Sequence, residues 1–354
     1  MKLIFEAPLN PLSLGNVSYN ILREFYKANI DVALFPIGNI DLQSYQPNQD
    51  FFSWIQKSIN QRYDALDLNL PCIKIWHLNG SDSLRSRNQN LLTFYECNNP
   101  TNTERKICNL QSKTFFSSTH ASSLFEGSES FKLGFDEDFF VTGKKYLQDR
   151  IHFGICGKFE KRKHTEKLIK TWLKKYGNNN KYLLSCCITN PFLKPEDMNA
   201  VIGNILEGKQ YSNINFLPWL KTNAEFNEFL NAIDIDLTGM SGGEGWNLPA
   251  FNATCLGKWS IVLNGTAHKD WANETNCILV EPNGEQDAED GFFFAKNSEF
   301  NQGTFLTFSE DALISAMEKA ETLVGQVNMS GSVLSQMFTY KKTVEEILSK
   351  ISLA

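Results

Sequence analysis

Short apolar runs alternate with stretches in which apolar residues recur every three or four positions, and this alternation fills most of the 354-residue chain. The first run, Lys2–Phe5, is followed by the loop PLNPLSLGNVS, a helical stripe at Val17, Ile21, Leu22 and Phe25, and a second strand, IDVALFP. Strand, glycine-containing loop, helix and strand in that order predict a βαβ unit with a parallel sheet. Further strands are expected at Pro71–Trp76 and Thr114–Ser117. Two polar, Asn/Gln-rich stretches, 39–70 and 79–112, read as insertions without predictable structure.

A second series opens at Ile151. IHFGIC and KYLLSCCI are strand-like, and Leu168, Ile169, Trp172, Leu173 and Tyr176 between them have helical spacing, closed by Gly177. NINFL, IDIDL, WSIVL and CILV continue the strands, interleaved with the helical segments TNAEFNEFLNA and NLPAFNATCLG. The pattern predicts an α/β chain of two Rossmann-like, doubly wound domains, 1–145 and 150–335, joined through DEDFFVTGKKYLQDR. Open α/β domains of this kind bind ligands at the carboxyl ends of their strands, so a central cleft is expected between them.

Composition narrows the class. A chain that is 42% hydrophobic and 21% charged can fill two cores, and a formal charge of −6 argues against a protein whose main task is gripping polyanions. The eight cysteines sit partly in apolar runs, and none forms a CxxC pair or a zinc-like spacing, so free thiols in a reducing compartment are expected. The start MKLIFEAPLN lacks the apolar stretch of a signal peptide, and no apolar run reaches about 18 residues. The expectation is a cytoplasmic protein with no transmembrane segment.

Two stretches carry candidate chemistry. In TGMSGGEGWNLPAFNATCLG, the strand IDIDL runs into Gly242, Gly243 and Gly245, Pro249 opens a helix and Gly257 ends it. Glycines let backbone N–H groups approach a ligand, and a helix start favours an anion such as a diphosphate. Glu244 would repel phosphate and is better suited to neutral sugar hydroxyls; taken alone, it reads equally well as a solvated residue in a tight turn. In GKFEKRK, Lys158, Arg162 and Lys163 fall in the loop after IHFGIC, where cations can neutralise a diphosphate. Lys167, Lys170, Lys174 and Lys175 read as the solvated face of the following helix. Asp234-Ile235-Asp236 looks like a DxD metal site, but along a strand the two carboxylates point to opposite faces, so no metal is expected.

GKFEKRKHTEKLIKTW and SGGEGWNLPAFNATCLGKWSIVLNGTAHKDW together resemble the carboxyl-terminal domain of glycosyltransferase family four, a retaining family with the GT-B fold. TFFSSTHASSLF and FKLGFDEDFF resemble the last strand and exit segment of that family's first domain. The likeness covers most of 110–285; over 1–110 only the Gly15 loop and KIWHLNG match. It implies that Lys158 and Lys163, with Arg162 beside them, bind the donor diphosphate, and that Glu244 contacts the transferred sugar. It also implies that Gly243, Gly245, Trp246, Asn247 and Leu248 line the donor, and that Gly15 and Asn16 belong to a loop closing over it. His77 matches the family's active-site histidine. The ribose-binding glutamate of the family is replaced by Asn252.

The implied activity is retaining transfer of a sugar from a nucleotide-diphosphate sugar, used as co-substrate without a cofactor. Residues 82–113 hold Arg85, Arg87, Arg105, Lys106 and Lys113 against Asp82, Glu96 and Glu104. That slight basic excess leaves a glycan, a lipid-linked sugar or a modified DNA base open as acceptor, with the first two ranked ahead because the chain is acidic. A non-catalytic GT-B binding subunit and a nucleotide-sugar epimerase are the rival readings. A final helix over 336–354 is expected to return to the first domain.

Overall fold

In the computed structural model the described residues are 2–351 except 145, 148 and 292. The first half contains β1 (Lys2–Ala7), α1 (Ser13–Lys27), β2 (Asp31–Pro36), α2 (Gln49–Asn60), β3 (Cys72–Ile75), β4 (Gln89–Thr93), α3 (Asn102–Leu110), β5 (Lys113–Phe116), α4 (Thr119–Ser123) and β6 (Glu129–Ser130). Its six strands form one parallel sheet in the order β2-β1-β3-β4-β5-β6. The described part of 131–150 carries no helix or strand and leads into the second half.

There follow β7 (Ile151–Cys156), α5 (Thr165–Tyr176), β8 (Tyr182–Cys187), α6 (Pro195–Ile205), β9 (Ile214–Phe216), α7 (Asn223–Ala232), β10 (Ile235–Asp236), α8 (Leu248–Cys255), β11 (Trp259–Leu263) and β12 (Ile278–Val280). The chain then forms β13 (Gly284–Asp287), β14 (Thr304–Thr307), α9 (Glu310–Glu321), α10 (Met329–Met337) and α11 (Tyr340–Lys350). The second sheet is also parallel, ordered β12-β11-β10-β7-β8-β9, while β13 and β14 pair as a separate antiparallel hairpin.

In each sheet the strand order reverses beside the first strand: between β1 and β3, and between β7 and β10. Such reversals open a crevice at the carboxyl ends of the two strands. The crevice of the second lobe is therefore bordered by the loop 157–164 and the loop 237–247, the two stretches singled out from sequence. In the first lobe it is bordered by the Asn10 loop and by His77.

Helix α5 forms where its periodicity predicts, burying Leu168, Ile169, Trp172 and Tyr176 against the second sheet. Each such side chain contributes roughly 1.5–3 kcal/mol. Gly177 follows with φ +52°, a left-handed stop that suits glycine.

The stretches 39–70 and 79–112 are not structureless insertions. Helix α2 buries Phe51, Ile55 and Ile59 at four-residue spacing and is capped by the Asn48 side chain, which accepts from Phe51 N. Helix α3 has a full Thr101/Glu104 capping box. Strand β4 is central to its sheet although it begins with two amides. Gln89 accepts from Arg85 N at 2.9 Å and donates to Gln111 Oε1 at 3.0 Å, and Asn90 donates to the Cys72 carbonyl at 3.3 Å, so neither is buried unpaired.

The expected return helix is present as α11, shorter than 336–354; residues 352–354 lie outside the described residues. It packs on α1 and places Val344 and Ile347 in one core with Leu22, Phe25 and Phe5. Replacing Ile347 by Ala should lower unfolding free energy by about 2–5 kcal/mol in a urea titration. A change below about 0.5 kcal/mol would mean that this helix is not part of the cooperative core.

Candidate functional site

The crevice of the second lobe holds a buried charge cluster. After β7 the chain makes a short 3₁₀ turn at Lys161–Lys163, and His164 takes a left-handed conformation (φ +53°) that starts α5. This turn aims Arg162 and Lys163 at the glycine loop after β10. Arg162 Nη1 lies 2.9 Å from Glu244 Oε2 and donates to the Gly243 carbonyl at 2.7 Å; its Nε donates to Glu160 Oε2 at 2.7 Å. Lys163 Nζ is 2.7 Å from Glu244 Oε1, and Lys158 Nζ is 2.9 Å from Glu160 Oε1. Three cations face two carboxylates in direct ion pairs, and the charge of Glu96, from the first lobe, also reaches Arg162.

Burial alone would raise the pKa of Glu244, but the charges of Arg162 and then Lys163 outweigh it and hold the carboxyl well below the usual range. The same contest brings Glu160 down from 4.5 to about 2, through Arg162, Lys163 and Lys158. Arg162, only 8% exposed, is raised: burial would lower it, and Glu244 and Glu160 overcome that.

His77 stands at the end of β3, open to solvent, in the first lobe's crevice. Surrounding protein lowers its pKa, with Glu96 opposing and Lys158 adding to the shift. His77 therefore lies within electrostatic reach of the second lobe's cluster. The structure thus brings together Lys158, Arg162, Lys163, Gly243 and Glu244 with Glu160, while His77 of the first lobe feels the charge of Lys158 without a direct contact to the cluster. Lys158 is also flanked by the Phe192 and Phe293 rings, 5.2 and 5.0 Å from their centroids.

The three glycines of this loop have close protein neighbours. A Cβ on Gly242 would lie 2.2 Å from the Leu306 carbonyl, on Gly243 2.5 Å from the Glu96 carbonyl, and on Gly245 2.8 Å from Phe94 Cβ. These positions lack side chains because other protein segments press against them, two from the opposite lobe. Ser117 Oγ donates across the lobes to the Gly245 carbonyl at 2.7 Å.

Asn247, with φ +68°, caps α8 and donates through Nδ2 to the Thr238 carbonyl and to His268 Nε2, both at 3.0 Å. His268 Nδ1 bonds the Leu263 carbonyl, so that nitrogen carries the proton and Nε2 accepts. Burial pushes the His268 pKa down to about 4 against the pull of Glu244, which keeps this bond in place at neutral pH. Trp246 is buried and its carbonyl accepts from Trp271 Nε1 at 3.0 Å; Leu248 opens α8. Asn252 is 4% exposed and its Oδ1 has no hydrogen-bond partner.

Gly15 and Asn16 do not lie in a loop. Both belong to the first turn of α1, and a Cβ on Gly15 would meet the Asn10 carbonyl at 2.2 Å, so the glycine accommodates the chain folding over the helix start. The Asn16 amide is bonded to Asp136 Oδ2 at 3.0 Å. The carboxylates of Asp234-Ile235-Asp236 have separate local partners, His152 N and Thr238 N, and burial raises Asp236 to about 6.

Sequence reasoning missed Glu160 as a partner of the cations, His268 as the brace of Asn247, and the β13–β14 hairpin. Glu160 was visible between Lys158 and Lys161. The hairpin was not, because its first strand is polar and mostly exposed.

No protein-family model matches this sequence, and no curated protein matches it. Solved structures do. A sucrose-phosphate synthase from Thermosynechococcus elongatus aligns with TM-score 0.70 at 11% identity, over 99% of this chain and 98% of its own. HepE from Anabaena, solved with UDP and glucose, aligns with TM-score 0.64 at 14% identity, over 99% of this chain and 98% of its own. The trehalose-6-phosphate synthase OtsA aligns with TM-score 0.67 at 11% identity, over 99% of both chains. The fold is GT-B.

On this GT-B scaffold the charge cluster has a measurable signature. A carboxylate whose folded pKa is depressed adds stability that is complete above its unfolded value and is lost as pH falls through the folded value. For Glu160 that window runs from 4.5 down to about 2. Glu160→Gln should therefore show a shallower loss of stability than the wild type across this range in acid titrations followed by circular dichroism. Parallel curves would mean that the cluster is not formed in solution.

Proposed function

We propose that the chain is a retaining glycosyltransferase, moving a sugar from a nucleotide-diphosphate sugar to a glycan or lipid-linked acceptor, with residues 1–145 serving the acceptor and 150–335 the donor. The observation that carries this reading is the convergence of Arg162 and Lys163 with Glu244 at the strand-order reversal of the second lobe. Lys158 and Lys163, each held by a single carboxylate partner, can turn to a diphosphate. Arg162 holds Glu244 ionised, so the carboxylate can accept hydrogen bonds from sugar hydroxyls when Lys163 turns to the phosphate. The unpaired Oδ1 of Asn252 is shielded from water, so a ribose hydroxyl can donate to it only if neighbouring atoms shift.

In the transfer step the bond between the anomeric carbon and the diphosphate oxygen breaks and the acceptor oxygen bonds to that carbon. The acceptor's proton passes to the departing diphosphate, whose charge Lys163 and Lys158 stabilise. His77 faces the reacting sugar. No metal is required by this arrangement, and the reaction is assigned to the cytoplasm. Among the described residues no helix is long and apolar enough to cross a membrane. Arg85, Arg105 and Lys113 are occupied by Glu6, the Leu124 carbonyl and Glu129, so no observation favours a DNA acceptor.

Because HepE was solved with UDP and glucose, UDP-hexoses are the first donors to test. A matching donor should raise the melting temperature and be slowly hydrolysed. Lys163→Ala should reduce donor turnover by about 100-fold or more. It leaves Glu244 paired with Arg162, so the variant is expected to fold. Absence of stabilisation or hydrolysis by UDP-, GDP-, ADP- and CMP-sugars alike would refute the assignment.

A further inference from the structure

The strands β13 and β14 are joined by residues 288–303, whose described part carries no helix or strand. Antiparallel neighbours usually turn in about 2–5 residues, and a longer irregular connection is commonly functional. This arm is anchored in both lobes.

Its anchor in the first lobe is a core contact. Ala288 and Phe294 of the arm, with Phe305 of β14, are buried among Tyr95, Phe116 and Phe125. Asn301 N donates to Glu104 Oε1 at 2.7 Å, Asn99 N to the Gln302 carbonyl at 3.1 Å, and Thr101 Oγ1 to the Glu299 carbonyl at 2.6 Å.

Its other anchor is the cation loop of the second lobe. Lys161 Nζ donates to the Glu289 carbonyl at 2.7 Å, and the centroid of the Phe293 ring is 5.0 Å from Lys158 Nζ. Asp290 Oδ1 accepts from Phe293 N at 2.8 Å and from Phe294 N at 2.9 Å. One turn therefore sets the residue that enters the first lobe's core next to the residue that meets Lys158. Phe192, after β8, completes the enclosure: its ring stands at 80° to Phe293, 5.4 Å away, and its centroid is 5.2 Å from the same Nζ.

Two aromatic rings suit a lysine whose charge is to be used. An unsupported lysine stem spreads over many rotamers. A second carboxylate would fix the stem by neutralising its charge, whereas a ring face attracts an ammonium group and carries no net charge itself.

We propose that Phe293 is a positioning residue for Lys158, and that the arm makes this positioning depend on the docking of the two lobes. An arm released from the first lobe withdraws Phe293 and leaves Lys158 with Glu160 and Phe192 alone. The proposal rests on the donor reading for the diphosphate that Lys158 meets, but the placement of Lys158 is measurable without a donor.

The test is proton–carbon NMR of the full chain with lysine labelled at Cε, the Lys158 signal being assigned by its loss in Lys158→Arg. Protons held over a ring face resonate upfield. Phe293→Leu keeps an apolar side chain without a ring and should move the signal to the ordinary lysine position, while Phe293→Tyr should hold it upfield. Phe294→Ala, which loosens the arm's anchor in the first lobe, should move it as Phe293→Leu does, with melting curves confirming that the variants fold. If Phe294→Ala unfolds, Asn98→Ala, which removes both Asn98 bonds to Thr304, takes its place. In hydrolysis of UDP-glucose, or of whichever nucleotide sugar is turned over, Phe293→Leu should lower kcat about tenfold with KM within about twofold, and Phe293→Tyr should restore it. The proposal is overturned if the wild-type signal lies at the ordinary position, if Phe293→Leu or the loosened arm leaves it upfield, or if Phe293→Leu keeps the wild-type kcat. An upfield, arm-dependent signal in a protein that hydrolyses no nucleotide sugar would instead remove the transferase reading and leave the arm's role standing.

Discussion

A buried ion cluster is the constraint around which the second lobe's crevice is organised. Arg162 is too deeply buried for water to solvate its charge fully, and Glu160 and Glu244 are its partners. Breaking such a pair by removing one member commonly costs 3–5 kcal/mol, because the other charge is left buried. The requirement fixes the loop after β7 against the loop after β10. Gly242 N completes the join by donating to the Arg162 carbonyl at 2.7 Å. Lys163 is the partly independent member: it is held by Glu244, which retains Arg162 if Lys163 leaves. That asymmetry suits a site in which one cation exchanges a carboxylate for a ligand phosphate while the other preserves the frame.

The same loops are pinned from outside by the β13–β14 hairpin. Leu306 N donates to the Gly242 carbonyl at 2.9 Å, and the Leu306 carbonyl accepts from His164 Nε2 at 2.8 Å. On its far side the hairpin region reaches the first lobe, where Thr304 N bonds Asn98, Asn301 N bonds Glu104, and Phe294 and Phe305 share a core with Tyr95 and Phe116. A displacement of one lobe against the other must strain the segment that braces the charged loops. The left-handed conformations at His164 and Asn247 are tolerable in this setting because each is over-determined by its bonds, to Leu306 in one case and to Thr238 and His268 in the other.

Much of this was legible in the residues. Leu168 to Tyr176 announced α5, Pro249 and Gly257 bracketed α8, and the cations of GKFEKRK together with Glu244 marked the two loops that meet. Other features depend on tertiary partners and left weak signals. Gln89 and Asn90 disguised β4 because their amides are satisfied only once β3 and Gln111 are in place. Phe51, Ile55 and Ile59 of α2 were legible as a helical stripe with Phe52 and Trp54 beside it, but the polar residues on either side of 49–60 hid it within the composition of 39–70. The glycines at 242, 243 and 245 announced close approach but not of what; Leu306, Glu96 and Phe94 fill the space a side chain would take there. Gly15 was read as part of a loop for the same reason: sequence shows that a side chain is missing, not which backbone fills its space.

The central claim, that Lys163 exchanges Glu244 for a donor phosphate while Arg162 keeps its place, is tested most directly by a crystal structure of the complex with UDP-glucose or whichever nucleotide sugar binds. The account predicts a phosphate oxygen at about 3 Å from Lys163 Nζ, Glu244 turned to the sugar hydroxyls, and the Arg162 contacts intact. A nucleotide sugar bound elsewhere, with the Lys163–Glu244 pair undisturbed, would contradict it.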